Sequence, residues 1–256
     1  MKLNLKQLLA EKIDLEAASP KLIFYRILPH FILEIMTKYF RLKIVGAENI
    51  PTKGAAVIAP NHSGFAGFDV VLLSHHIQKI SKRTPRVLTH ALWFITKGLS
   101  IPMNKMGFIE ATTPNGIKFL KKKQLVVLFP EGEHGNFKPS KQAYKLQEFK
   151  RGFVRMAIKT GAPIVPCLII GAEETHINIT KLKLSKFLKG TVLPLPLNTI
   201  PLPAKWKIVF LKPIHLPYKP SKANDKELVH EIALDIREQM QRELSNIIKK
   251  RKHIFL

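Results

Sequence analysis

Acidic residues and cysteine are scarce: 18 Asp+Glu face 42 Lys+Arg, with one Cys in 256 residues. A single thiol, Cys167, excludes a disulfide within the chain, so thiols do not fix a redox compartment. Cys167 lies in the apolar run from Ala162 to Ile170, which predicts a buried strand residue and not a nucleophile. No window supplies the roughly 18 uncharged apolar residues of a membrane-spanning helix. The uncharged stretch 190–204 contains Pro194, Pro196, Pro201 and Pro203, which excludes a regular helix. Lys2, Lys6, Glu11, Lys12 and Asp14 break any leader-peptide apolar core, so no export is expected. A Gly-x-Ser-x-Gly elbow is missing, which counts against a serine hydrolase of lipids. Zinc-finger spacing and RNP-type motifs are missing as well, and nucleic acid is not an expected partner.

What the chain has in excess is positive charge, formally +24. Such a charge attracts polyanions: nucleic acid, the anionic face of a membrane, or an acidic carrier or substrate. The hydrophobic fraction of 46% is enough for a sizeable core, and the length suits one α/β domain.

Residues 21–40 are large and apolar except where Lys21, Arg26, Glu34 and Lys38 interrupt them, and Pro29 should kink or divide a helix there. Residues 1–39 are therefore expected to form a helical segment at the water–lipid interface. Packing of that helix on the protein's own core is the alternative. From residue 40 short apolar runs alternate with helical ones. Strands are expected at Leu42–Val45, Ala55–Ala59, Arg86–Thr89, Leu125–Phe129, Ile164–Ile170 and Lys207–Leu211. Helices are expected at 70–80, 114–123, 150–160 and 224–250. The fold class is α/β: a mixed, mostly parallel sheet flanked by helices, over residues 40–256. In the last helix Asn224 or Asp225 can cap the start. Leu228, Ile232, Ile236, Met240, Leu244 and Ile248 recur every fourth residue. Lys249, Lys250, Arg251 and Lys252 gather at its negative end, where they suit solvent or anionic lipid. Residues 176–204 read as an irregular basic and apolar insertion, with Lys181, Lys183, Lys186 and Lys189 among leucines, and offer a second lipid contact.

The strand expected from Ala55 runs through Pro60 into Asn61-His62-Ser-Gly-Phe-Ala-Gly-Phe-Asp69, just before an apolar helical pattern. On a continuous helix His62 and Asp69 would lie about 10 Å apart along the axis, so contact requires a loop. Gly64 and Gly67 supply the freedom for one. A carboxylate that accepts from one imidazole nitrogen leaves the other free to take a proton from an alcohol. The alternative is a helix-capping Asp69 beside a loop histidine. A second loop, Phe129-Pro130-Glu131-Gly132-Glu133-His134-Gly135, also follows an apolar strand and can turn backbone N–H groups toward an anion.

Asn61-His62 with a downstream Asp, then Phe129-Pro-Glu-Gly132 about seventy residues later, then Ala162-Pro-Ile-Val-Pro166, resembles the glycerolphosphate and lysophospholipid acyltransferase family. The resemblance spans residues 40–215. It implies transfer of a fatty acyl group from acyl-coenzyme A or acyl carrier protein to a hydroxyl of a lysophospholipid or 1-acylglycerol-3-phosphate. It also implies His62 as general base and Asp69 as its orienting partner, with Asn61, Glu131 and Gly132 at the acceptor, and neither metal nor cofactor. Pro163 and Pro166 would be structural.

Three features depart from the family pattern. Six residues separate His62 from Asp69 where four are usual, as in a variant branch. The stretch Gly107–Asn115 lacks the expected phosphate-binding arginine, and Glu133-His134 replace Thr-Arg. Lys150 and Arg151, at an expected helix start, are the candidate substitutes. An anionic membrane at the cytoplasmic face, a lysolipid acceptor and a thioester donor are the expected partners. The non-enzymatic alternative is a catalytically inactive basic protein that binds membrane lipid.

Overall fold

The computed structural model describes residues 28–63, 67–94, 100, 103–136, 138–183 and 192–255. Its centre is a seven-stranded sheet in the order β1-β9-β6-β2-β5-β3-β4. These strands are β1 (Lys43–Val45), β2 (Ala56–Pro60), β3 (Arg86–Thr89), β4 (Phe108–Glu110), β5 (Leu125–Val127), β6 (Ile164–Ile170) and β9 (Lys207–Phe210). All neighbours pair in parallel except β6 and β9, so the sheet is mixed and mostly parallel, as expected. Every residue of β2 and β6 is buried. That fits the near-continuous apolar sequence of a strand covered on both faces.

The strand period of two divides the core into two layers. Val57, Ala59, Val126, Ile164, Leu168 and Ile170 point to one side. There they meet α3 (Thr113–Lys121), α5 (Gly152–Thr160) and α6 (Lys226–Lys249). Ala56, Ile58, Leu125, Val127, Val165, Cys167 and Ile169 point to the other. That side is covered by α1 (Leu28–Tyr39) and α2 (Phe68–Ser81). Cys167 is fully buried in its strand, and burial pushes its thiol pKa well up.

Asp225 caps α6 by accepting from the Leu228 amide at 3.2 Å. The residues of α6 that are buried are Val229, Ala233, Ile236, Met240 and Leu244. Every-fourth spacing advances 40° past a full turn at each step, so the contact stripe drifts and Leu228 is only partly covered. Arg251 leaves the basic cluster at the helix end: it pairs with Glu174 at 2.5 Å and donates to the Lys205 carbonyl at 2.7 Å.

Two expectations need correction. Residues 176–204 are not irregular throughout, because β7 (Asn178–Lys183) and β8 (Val192–Pro196) pair antiparallel as a separate ribbon. Pro194 and Pro196 concealed it. In a two-stranded ribbon each strand has an open edge, where a residue without an N–H costs no ladder bond. Residues 184–191, with Lys186 and Lys189, lie outside the described residues. The second correction is β4, a three-residue strand whose sequence Phe-Ile-Glu is too short to display a period.

Of the N-terminal segment 1–39, the described part is α1, with Pro29 in its first two residues. One face packs on α2, where the buried Glu34 accepts from Lys79 at 2.7 Å and contacts His75 Nε2 at 2.8 Å. Burial opposes ionisation of Glu34, but these two partners together hold its pKa down to about 2. The other face leaves Leu28, Ile32, Ile35 and Tyr39 more than two-fifths exposed. Among the described residues no helix is long and apolar enough to cross a membrane.

Candidate active site

β6, β2 and β5 are adjacent and parallel, so their carboxyl ends open on the same edge of the sheet. Loops at such ends are the usual location of chemistry in sheets of this kind. Asn61-His62 continues β2, Phe129-Pro130-Glu131 follows β5 and Gly171-Ala172-Glu173 follows β6. Strand order therefore brings together three segments that lie far apart in sequence.

His62 and Asp69 meet. The His62 Nδ1 is 2.7 Å from Asp69 Oδ2, and the same oxygen accepts from the Ser63 amide at 2.9 Å. Asp69 Oδ1 accepts from the Val70 amide at 2.9 Å. Asp69 is fully buried in the first turn of α2, where unpaired backbone N–H groups favour a negative charge. Gly67 precedes that helix at φ +68°, a conformation that suits glycine. Gly64 lies outside the described residues. With Nδ1 engaged by a carboxylate, the neutral imidazole carries its proton there and has Nε2 as acceptor. Among the described residues nothing hydrogen-bonds to Nε2, and the ring lies 4.3 Å from that of Phe129, centroid to centroid.

Asn61 and Glu131 are wholly buried, and their polar atoms engage the protein itself. The Asn61 amide group spans Ile169: it donates to the carbonyl at 3.1 Å and accepts from the N–H at 2.6 Å. The backbone ladder thus continues one residue past β2 and fixes where His62 begins its loop. Glu131 accepts from the His62 amide at 2.9 Å and from the Gln147 amide at 2.7 Å. Its carboxylate therefore ties the loop after β5 to the base of His62.

Gly132 has φ +56°, and a Cβ there would stand 3.0 Å from Lys150 Nζ. The lysine ammonium accordingly lies against the Pro-Glu-Gly turn, and its backbone N–H donates to the Pro130 carbonyl at 2.8 Å. Arg151 sits at the start of α5 and faces the exposed Glu148 at 3.9 Å. His134 and Glu133 are exposed on the short helical turn α4 (Glu133–Asn136).

Gly135 is a different matter, because a Cβ at this position would come within 2.6 Å of the Glu131 Cβ and 2.8 Å of its carboxyl carbon. The Cβ is fixed by the backbone, and the carboxyl carbon belongs to a fully buried group held by two amides. Gly135→Ala is expected to displace Glu131 and lower turnover in a transfer assay by up to about 10²-fold, a loss that a 1 Å misplacement away from the reacting atoms can cause. Wild-type turnover in a steady-state assay of that variant contradicts this role for the glycine.

Sequence reasoning missed Lys138 and Glu173. Lys138 is 4% exposed, and its Nζ lies 2.8 Å from Glu173 Oε1 and 3.7 Å from Glu131 Oε2. Burial pushes the Glu173 carboxyl up to about 7, against the pull of the Lys138 charge. Nothing local marks either residue: one is a lysine among many, and the other lies in a short acidic turn. Only their burial singles them out.

A family model described as Acyltransferase matches residues 41–170. An uncharacterized protein of Mycobacterium tuberculosis is 36% identical over 230 residues, covering 85% of this chain and 64% of the relative. The chain thus spans just under two thirds of the length of that curated relative. Phytyl ester synthase 1 of Arabidopsis thaliana is 24% identical over 245 residues, covering 82% of this chain and 35% of that protein. Among solved structures, PlsC from Thermotoga maritima, a 1-acyl-sn-glycerophosphate acyltransferase, superposes with a TM-score of 0.56. It covers 88% of this chain and 83% of that one, and at 18% identity the similarity concerns the fold.

Proposed function

This chain belongs to the acyltransferase family, and we propose that it moves a fatty acyl group from acyl-coenzyme A or acyl carrier protein to a lipid hydroxyl, with His62 as general base. The observation that carries this reading is the 2.7 Å contact of His62 Nδ1 with the buried Asp69, which leaves Nε2 to face the acceptor. Nε2 takes the hydroxyl proton while the oxygen attacks the thioester carbonyl. The tetrahedral adduct then collapses, the C–S bond breaks, and the departing sulfur takes the proton from the imidazolium. An ester and a free thiol result, and the enzyme returns to its starting state. Asp69 fixes the tautomer and offsets the transient positive charge.

The acceptor in this reading is a lysophospholipid or 1-acylglycerol-3-phosphate, with Lys150 and Arg151 in place of the missing arginines. Lys150 is favoured by its position against Gly132, and both residues stand at the start of α5. Asn61, Glu131 and Gly132 support the acceptor from beneath, by holding the two loops. A second reading has a neutral long-chain alcohol as the acceptor. It is favoured by the absence of arginine from Gly107–Asn115 and by the alignment with phytyl ester synthase over 82% of the chain. One acceptor panel separates the two. With a labelled acyl thioester, preferential labelling of phosphate-bearing lysolipids supports the first reading and preferential labelling of long-chain alcohols the second. Labelling of neither leaves the lipid-binding, inactive alternative.

The proposed partner is an anionic membrane surface. The outward stripe of α1 and the exposed Ile177, Ile179, Leu197 and Ile200 are apolar, and the chain carries a +24 charge. Tyr39 at the end of that stripe donates to the Pro201 carbonyl at 2.6 Å, so the two parts adjoin. Ile32→Ser with Ile35→Ser is expected to weaken flotation with phosphatidylglycerol vesicles at least tenfold; undiminished flotation contradicts this use of α1.

A further inference from the structure

A lysine is seldom buried without a partner that justifies its charge. Lys138 has two, both carboxylates, and no part of the proton-transfer scheme uses it. Its Nζ lies 2.8 Å from Glu173 Oε1 and 3.7 Å from Glu131 Oε2, and donates to the Lys145 carbonyl at 3.3 Å. Glu173 follows β6 and also accepts from the Tyr144 amide at 2.8 Å. Glu131 follows β5 and accepts from the His62 amide at 2.9 Å. Lys138 thus joins the loops after two of the three strands that frame the site, and through Glu131 it reaches the third.

The geometry of this chain of contacts bears on the imidazole itself. The His62 amide and the His62 ring hang from one Cα, the ring aligned by Asp69 and the amide by Glu131. Movement of either carboxylate swings Nε2. A carboxylate between two amides is fixed in direction by them, but its depth depends on the charge behind it. Among the described residues Lys138 is the one cation within 4 Å of that carboxylate: Lys150 lies against Gly132 on the other side of the turn, and Glu173 is acidic.

We infer that Lys138 is a positioning residue for acyl transfer: it sets the place of Glu131, and through Glu131 that of His62. The inference rests on His62 as the base. Lys138 contacts Glu131, Glu173 and the Lys145 carbonyl and leaves Lys150 and Arg151, the proposed acceptor ligands, in place, so its loss acts chiefly on turnover. It lines a small cavity with Ser63, Asn136 and Asn178, and a methionine is close enough to lysine in length to take up the volume the side chain already fills.

Steady-state kinetics with Lys138→Met in a Glu173→Gln background test this. The Gln removes the second carboxylate, so the Met leaves no uncompensated acid on that side. Relative to Glu173→Gln alone, the double variant is expected to lose about 10²-fold in kcat, with the acceptor KM within threefold. Lys138→Arg in the wild-type background, which keeps a cation behind Glu131, is expected to retain at least a tenth of wild-type kcat. In histidine-labelled protein the His62 ring signals should shift in the Met variant while those of the exposed His134 remain. Equal kcat for the double variant and Glu173→Gln, or Lys138→Arg as impaired as the Met variant, overturns the inference. If the double variant does not fold, the Arg variant decides: less than a tenth of wild-type kcat in a folded protein overturns it. Undiminished transfer by His62→Ala is a separate result and overturns the reading of the base.

Discussion

His62→Ala is expected to lower the rate of acyl transfer by about 10²–10⁴-fold, the range for loss of a positioned general base, without a matching loss of stability. The side chain is not deeply packed: 14% of it remains exposed, and its one strong polar contact is with Asp69. Asp69→Asn should fall in the same range, for a reason that can be traced atom by atom. Oδ2 accepts from His62 and the Ser63 amide, while Oδ1 accepts from the Val70 amide. An asparagine has one acceptor oxygen, so its NH₂ group must face a donor on one side or the other. Either Val70 N–H meets a donor, or His62 and Ser63 do. In the second arrangement the imidazole gives up the tautomer that frees Nε2. Single-turnover rates of the two variants at saturating thioester check this, and a variant within tenfold of wild type contradicts it.

The largest effect on stability is expected from Glu131→Ala. Removal of this carboxylate leaves the His62 and Gln147 amides without an acceptor and weakens the neutralisation of Lys138. Leaving a buried charge wholly unpaired costs about 3–5 kcal/mol; Lys138 keeps Glu173 at 2.8 Å, so its share of the loss is smaller than that. Each orphaned amide adds about 1–3 kcal/mol unless water reaches it. Domains are stable by only about 5–15 kcal/mol, so the variant should unfold at much lower urea concentration. Glu131→Gln keeps one acceptor oxygen and should lie between. Urea midpoints followed by circular dichroism measure both; a midpoint for Glu131→Ala equal to that of wild type contradicts the buried-network assignment.

Much of this fold is legible in the sequence because its strands are buried on both faces. Ile164–Ile170 has an apolar side chain or a proline at every position, and such a run has few other ways to be satisfied. The His-x-x-x-x-x-x-Asp interval is legible too, since glycines within it allow the two side chains to return to one another. What the sequence concealed has physical causes. β4 is three residues long and β8 carries two prolines, so neither displays the alternation by which strands are recognised. The every-fourth pattern of α6 marks the helix but not its buried face, because a straight helix turns away from that spacing. The roles of Glu131 and Asn61 depend on which strands are neighbours. Their partners Gln147 and Ile169 become adjacent only once β6, β2 and β5 are placed side by side. Lys138 is the extreme case, one basic residue among 42 that only burial distinguishes.

Acyl transfer from a thioester to a lipid hydroxyl must release one thiol for each ester formed. The most direct measurement is therefore the paired count of free thiol and labelled ester, with wild type and His62→Ala, over a panel of lysolipid and long-chain alcohol acceptors. The expected result is equal, acceptor-dependent formation of both products by wild type, and a loss of at least 10²-fold for both in His62→Ala. Thiol release without ester, or ester formation that survives His62→Ala undiminished, contradicts it.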